Sequence, residues 1–260
     1  MRPRHVLIAV YVAAAAVFIF LPVVMLVLYS FQDGLVPVPP FRGFSLRWYE
    51  KVFANRKLLE AMGNSVVVGG LSSAVAASLG FLAAYGLARS RPRRADAIQY
   101  ALMAPITVSY LIIGMGLLIT FNGVGIDRSL VAVGIGHVVI NLPLCFAIAY
   151  SQLGEHQANV ERAAQDLGAN DLQALLLITV PMLWPTILAA FFIAFTLSWD
   201  EFVIAFLLSK FDVTLPVVIW NMLHAGLSPE LNAAGTFVFT TSIALVILVE
   251  LLLAQGSRRG

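Results

Sequence analysis

The chain has 260 residues, 60% of them hydrophobic and 12% charged, with a mean hydropathy of +0.90 and a net charge of +2. A water-soluble domain carries about twice that charged fraction, so the composition excludes a soluble core in a polar shell and makes the bilayer the solvent. The small net charge gives no basis for nucleic-acid binding, and the single cysteine, Cys145, excludes an intrachain disulfide.

Six apolar stretches, approximately 6–29, 65–88, 97–121, 130–150, 184–208 and 232–254, are each long enough to cross roughly 30 Å of hydrocarbon. They predict an all-α membrane protein forming a single transmembrane domain over residues 1–260. The first stretch follows Arg2 and Arg4 as a signal peptide would. Its apolar run is too long and lacks a small-x-small cleavage site, so it is read as an anchor. Arg2, Arg4, Arg89, Arg91, Arg93, Arg94, Arg258 and Arg259 then share one side, which the positive-inside rule makes cytoplasmic, with both termini there. The opposite side carries Arg42, Arg47, Lys51, Arg56, Lys57, Arg128 and Lys210, partly offset by Asp33, Glu50 and Glu60.

Along the chain, Pro22, Pro105 and Pro143 fall inside spans and are expected to kink them. In the outer segment 31–64, Pro37, Pro39 and Pro40 favour extended backbone, and Ser45 can cap a short amphipathic helix, LRWYEKVF. Trp48 and Tyr49 in that helix suit a membrane interface. Gly69, Gly70, Gly80 and Gly86 in the second span, and Gly114 and Gly116 in the third, permit close helix approach. His137 and Asn141 lie one turn apart in the fourth span. They are too few to bind a metal and are read as interhelical hydrogen bonders. His5, His156 and His224 are too dispersed to form a cluster.

The longest inner connection, Ser151–Pro181, has helical order. NVERAAQDLGA predicts a short helix beginning at Asn159, and Gly168 supplies the left-handed residue that ends it. Asn170 caps a second helix, with Gln173 in capping-box spacing; Pro181 and Pro185 mark the start of the fifth span. Ala163, Ala164 and Leu167 form a small apolar surface flanked by Glu161, Arg162 and Asp166. Small side chains allow a partner's groove to approach and the flanking charges fix orientation, although a connector packed on its own bundle has the same pattern.

The stretch ERAAQDLGANDLQALLLITVPMLWPTI resembles the EAA motif of ABC-importer permeases, with Ala163, Ala164, Leu167, Gly168, Ala169 and Pro181 matching. Arg162 stands where that family most often has Glu; Glu161, one residue earlier, is rotated by about 100°. The resemblance implies a type I (MetI-like) permease fold. In that fold Glu161, Arg162, Ala163, Ala164, Asp166, Leu167, Gly168 and Ala169 would form the coupling helix that docks in a cleft of a cytoplasmic ATPase. It also implies an assembly in the bacterial inner membrane with a second related permease, two ATPase subunits and an extracytoplasmic substrate-binding protein. ATP–Mg would be bound by the ATPases: this chain has no GxxxxGK[ST] sequence, and neither catalytic residues nor a cofactor of its own is expected.

In the fifth span, SWDEFVIAF places Trp199, Asp200 and Glu201 in an apolar run, with Asp200 roughly 24 Å along a helix from Trp184. Ionisable residues at such depth usually face a partner or an aqueous path. These three are read as lining a substrate path; the alternatives are neutralisation by a companion subunit or a local cap at a helix break after Ser198. FTLSWDEFVIAFLL, LPVVIWNML and GLSPELNA resemble the PotC-like branch, which imports spermidine and putrescine and includes carriers of other small nitrogenous solutes. That resemblance implies a polyamine, which the carboxylates and the Trp199 ring would suit through charge and cation–π attraction. Asn221, His224 and Glu230 fall in an outer loop, 209–231, and are read as solvated, the alternative being a contact with a substrate-binding protein. The rival from another class is an ATP-independent carrier or channel, which often has repeated halves; no internal repeat is apparent. A nucleophile–base pattern for an intramembrane enzyme is likewise not apparent.

Overall fold

The computed structural model describes residues 3–90, 92–226 and 228–257. Among the arginines used to orient the chain, Arg2, Arg91, Arg258 and Arg259 lie outside the described residues. Among the described residues twelve α-helices follow one another: α1 (Pro3–Ser30), α2 (Arg47–Ala54), α3 (Arg56–Ser90), α4 (Ala95–Met103), α5 (Tyr110–Gly123), α6 (Leu130–Gln152), α7 (Glu155–Asp166), α8 (Asp171–Ala174), α9 (Val180–Trp199), α10 (Val203–Leu208), α11 (Leu215–Ala225) and α12 (Pro229–Ser257). Among the described residues, five stretches are long and apolar enough to cross a membrane: Ile8–Ser30, Arg56–Ser90, Leu130–Gln152, Asp171–Trp199 and Pro229–Ile247. Several begin before their apolar runs because polar first turns, such as Arg56–Asn64, are already helical.

The kink expected at Pro105 in the span over 97–121 is a full break. Pro105 removes a backbone donor within a 3₁₀ turn, Ala104–Thr107, and Val108 is extended. Ser109 then caps α5 by accepting from the Leu111 amide. The two arms, Ala95–Thr107 and Tyr110–Gly123, meet at 103°. Pro22 and Pro143 remain inside continuous helices. The expected loop over 209–231 contains α11, a helix too short to register as a span, with Pro216 in its first turn.

Two compact units are formed, Met1–Glu60 with Val218–Thr241, and Ala61–Val217 with Ser242–Gly260. In the first, the segment after α1 folds around Gln32 and Trp48. The Trp48 indole donates to the Gln32 carbonyl at 2.8 Å, and the Gln32 amide donates to the Val36 and Val38 carbonyls. Arg47 and Lys51 each stand 4.6 Å from the centre of the Trp48 ring. Trp48 is buried, holding this segment together, where the sequence suggested an interfacial side chain. Ser45 accepts from the Arg47 amide but does not cap α2 as expected: the helix begins at Arg47, with Leu46 in the capping position and no side-chain cap.

The second unit is organised on α6. One face of this helix, through Ala132, Val133, Gly136, His137, Ile140, Asn141, Cys145, Phe146 and Ala149, is buried, with α9 as its principal neighbour and α4, α5 and α10 also packed on it. Glycines set the closest approaches. A Cβ on Gly80 of α3 would lie 2.7 Å from the Phe146 amide nitrogen and 2.8 Å from the Cys145 Cβ, and one on Gly114 of α5 would lie 2.6 Å from Leu207. At Gly86, by contrast, a Cβ would meet nothing within 4 Å. We therefore expect Gly80→Ala to destabilise the bundle by about 1–3 kcal/mol through forced separation of α3 and α6. Gly86→Ala should be neutral, or stabilising by up to about 1 kcal/mol. Thermal unfolding of the two variants in detergent measures the difference.

Candidate functional site

The connection between α6 and α9 folds into a knob by local chemistry. α7 starts after Gly154, a turn before the predicted Asn159, and ends in a Schellman arrangement. The Gly168 amide donates to Gln165, the Ala169 amide donates to Ala164, and Gly168 has φ +97°. Asn170 and Gln173 form the predicted capping box, with side-chain-to-amide distances of 2.8 and 2.9 Å. Gln165 Nε2 donates to Asp171 Oδ1 at 2.9 Å, strapping α7 to α8 across the turn. A wide π turn, Leu175–Thr179, precedes Pro181, whose missing N–H would leave a gap in regular α-helical bonding. Helical structure thus runs from Asp171 to Trp199, some distance before the predicted start of the fifth span.

On the knob, Arg162, Ala163, Asp166, Leu167 and Gly168 are exposed, Leu167 to 91%, while Ala164 and Ala169 are partly covered. Glu161 departs from its expected place on the charged flank: it is only 4% exposed. Its carboxylate accepts from Arg89 Nε at 2.5 Å and Nη2 at 2.9 Å, and from the Thr179 hydroxyl at 2.6 Å. Arg89 sits in the last turn of α3, where a cation also complements the helix dipole. Arg162 faces outward and donates to the Asn159 side chain. A groove of about 760 Å³ beside the pair is lined by Tyr85, Arg89, Glu155, Glu161, Arg162 and Asp171, among others.

The Arg89–Glu161 contact also fixes connectivity. The C-terminal ends of α3 and α6 both lie at the knob, whereas the beginning of α6 is at the other end of that helix. The bent pair α4 and α5 therefore carries the chain from one end of α6 to the other, and counted as one span it brings the candidate spans among the described residues to six.

At the far end of α9 the helix stops at Trp199 and restarts as α10 at Val203. Three residues of the sequence reading lie here, and their environments differ. Glu201 is buried and turns back onto α10, accepting from the amides of Val203 (2.8 Å), Ile204 (2.9 Å) and Ala205 (3.2 Å). A carboxylate there satisfies the orphan donors of the first turn. His137 of α6 approaches it, Nε2 to Oε2 at 3.4 Å, while His137 Nδ1 meets the Ser198 hydroxyl, itself 3.2 Å from that of Ser72 in α3. Nδ1 is thus paired with the Ser198 hydroxyl, whereas Nε2 has no hydrogen-bond partner among the described residues. Trp199 is 3% exposed, and its indole nitrogen has no hydrogen-bond partner among the described residues. Asp200 is exposed; its backbone amide donates to the Ser198 carbonyl, while its carboxylate has no ion-pair or hydrogen-bond partner among the described residues.

His137 thus serves as the expected interhelical hydrogen bonder, whereas the Asn141 amide nitrogen finds no partner among the described residues. Sequence reading did not single out Arg89, Thr179, Ser72 or Ser198 as site residues; their partners lie far away in sequence, so no local spacing signals them.

These features agree with comparisons to known proteins. The family described as "Binding-protein-dependent transport system inner membrane component" matches residues 76–259, and the chain belongs to it. The putrescine transport system permease protein PotI of Escherichia coli (strain K12) is 31% identical over 250 residues, covering 93% of this chain and 89% of that one. The spermidine/putrescine transport system permease protein PotC of Haemophilus influenzae is 29% identical over 242 residues, covering 92% and 93%. Among solved structures, a bacterial alginate ABC transporter in complex with an alginate pentasaccharide-bound periplasmic protein superposes with a TM-score of 0.72 at 16% identity, over 94% of this chain and 91% of that one. The fold is therefore that of the ABC-importer permeases, as the EAA-like segment implied.

The break at Asp200 permits a stability test. Glu201→Gln should destabilise the protein by about 1–2 kcal/mol through the weakened cap. Asp200→Asn should stay within about 0.5 kcal/mol of the parent. Thermal unfolding in detergent separates the two carboxylates.

Proposed function

We propose that the chain is a permease subunit of an ATP-driven importer that carries a small cationic solute, a polyamine such as putrescine or spermidine, across the bacterial inner membrane. The observation that carries the reading is the exposed, unpaired Asp200 carboxylate at the α9–α10 break, in a chain similar over most of its length to permeases of putrescine and spermidine transport systems. An anionic group within an apolar span is costly unless it has a task, and attraction for an ammonium group supplies one. Trp199 and Glu201 support Asp200 from inside the wall. The fold itself does not set this preference, because the similar alginate transporter handles an acidic polysaccharide.

The knob is the proposed coupling element. Leu167 and Ala163 offer a small apolar tip, and Arg162 and Asp166 give it a polarised rim. Two cytoplasmic ATPases, holding ATP–Mg in their own sites, would grip this element and its counterpart on a second permease. Their closure would switch the spans between outward- and inward-facing states. A substrate-binding protein on the other side would deliver the solute. The knob, the C-terminal end of α3 and both termini are accordingly assigned to the cytoplasm.

In proteoliposomes containing the complete transporter, Asp200→Asn should reduce uptake of labelled putrescine by about tenfold, through loss of a charged contact, without loss of assembly. Undiminished uptake would remove Asp200 from the path. Leu167→Asp should abolish co-purification of the ATPase; ATP-independent uptake by the chain alone would instead favour a secondary carrier.

A further inference from the structure

The geometry points to the Arg89–Glu161–Thr179 cluster as a transmission brace that makes the coupling helix move as one body with the ends of α3 and α9. The inference rests on the coupling role proposed for the knob and assigns positioning residues to it. Glu161 lies immediately before the Arg162–Leu167 surface, yet its carboxylate is turned away from any docking partner. Three donors from two other parts of the bundle converge on it: Arg89 Nε and Nη2 from the last turn of α3, and the Thr179 hydroxyl from the π turn leading into α9. The Arg89 contact is a two-pronged one, which fixes direction as well as distance. The Tyr85 ring, 5.6 Å from the Arg89 guanidinium, adds a contact one helical turn earlier.

Burial gives the brace its stiffness. Glu161 has side-chain exposure of 6% and Arg89 of 21%, so water replaces lost partners poorly, and separating the pair leaves a carboxylate without adequate solvation. A pull on α7 is then shared with α3 and α9 before the ion pair yields. Among the described residues, the side-chain hydrogen bonds of the neighbouring Arg162 go to its own helix, at Asn159 and Ala158, and form no such link. The knob's second helix is tied in as well, because the Thr179 hydroxyl lies 3.3 Å from the Ala174 carbonyl at the end of α8. The arrangement assigns different work to adjacent residues: Arg162 and Leu167 present the contact surface, and Glu161 conveys its displacement to the membrane helices.

The test uses the complete transporter in proteoliposomes, with spin labels at Ser90→Cys on α3 and His156→Cys on α7, an exposed position away from the docking surface, Cys145 being replaced. In the otherwise unaltered protein the inter-label distance should stay constant whether ATP is absent or trapped. In Glu161→Gln it should broaden and shift with ATP, with the ATPase still co-purifying and putrescine uptake per ATP hydrolysed falling by about tenfold. Thr179→Val, which keeps the ion pair, should give a weaker form of the same defect and serves if Glu161→Gln fails to fold. The exchanged pair Arg89→Glu with Glu161→Arg should recover part of the coupling. A distance that changes with ATP in the unaltered protein, or unchanged uptake per ATP in both single variants, overturns the brace. Release of the ATPase by Glu161→Gln overturns it too, by placing Glu161 at the docking contact. Retention of the ATPase by Leu167→Asp marks the separate failure of the coupling reading.

Discussion

Hydrocarbon supplies no hydrogen bonds, so a helix that stops within it must find partners for every backbone group it frees. That constraint governs the region where α9 ends and α10 begins. The Val203, Ile204 and Ala205 amides require an acceptor, and Glu201 provides one. A buried carboxylate in turn requires a polar neighbour; His137 stands beside it, and Ser198 and Ser72 occupy the other side of the imidazole. One interruption of the backbone therefore draws polar side chains from α3, α6 and α9 into an otherwise apolar interior. The glycines follow from the same packing, since Gly114 and Gly136 leave room for the Leu207 and Ile204 side chains of the α10 segment.

The two acidic residues that organise the protein share a pattern. Glu161 precedes an exposed Arg162, and Glu201 follows an exposed Asp200. In each pair one residue points into the structure, where it joins separate elements, and its neighbour faces out. In α7 the about 100° rotation between adjacent residues separates Glu161 from Arg162; at the α9–α10 break it is the change of direction of the chain that turns Glu201 inward and leaves Asp200 outside. For Glu161 the joint links α7 to α3 and the start of α9. For Glu201 it links the α9–α10 break to α6.

What could be read from the sequence was what is determined locally. The apolar stretches, the left-handed Gly168 and the Asn170–Gln173 box each depend on residues within a few positions of one another. The break at Pro105 was anticipated as a kink, but its size also reflects the extended Val108 and the fresh cap at Ser109, a combination that hydropathy conceals. α11 escaped notice because an 11-residue apolar helix looks like a loop beside longer spans. The inward turn of Glu161 depends on Arg89, 72 positions away, and that of Glu201 partly on His137. Periodicity placed all these residues on helices; it carried no information on which charges meet once the helices pack.

The knob's closure has an implication for how such machines diversify. Its terminal bonds, the Asn170–Gln173 box and the Gln165–Asp171 strap all fall between Ala163 and Gln173, so its outline is set by its own dozen or so residues and not by the long apolar helices. On the coupling role proposed for it, a fixing of that kind is a standard connector: walls could be remodelled for a different cargo while the plug still matched the same motor. Selection on what is carried and selection on how it is driven can then proceed along separate stretches of one short chain.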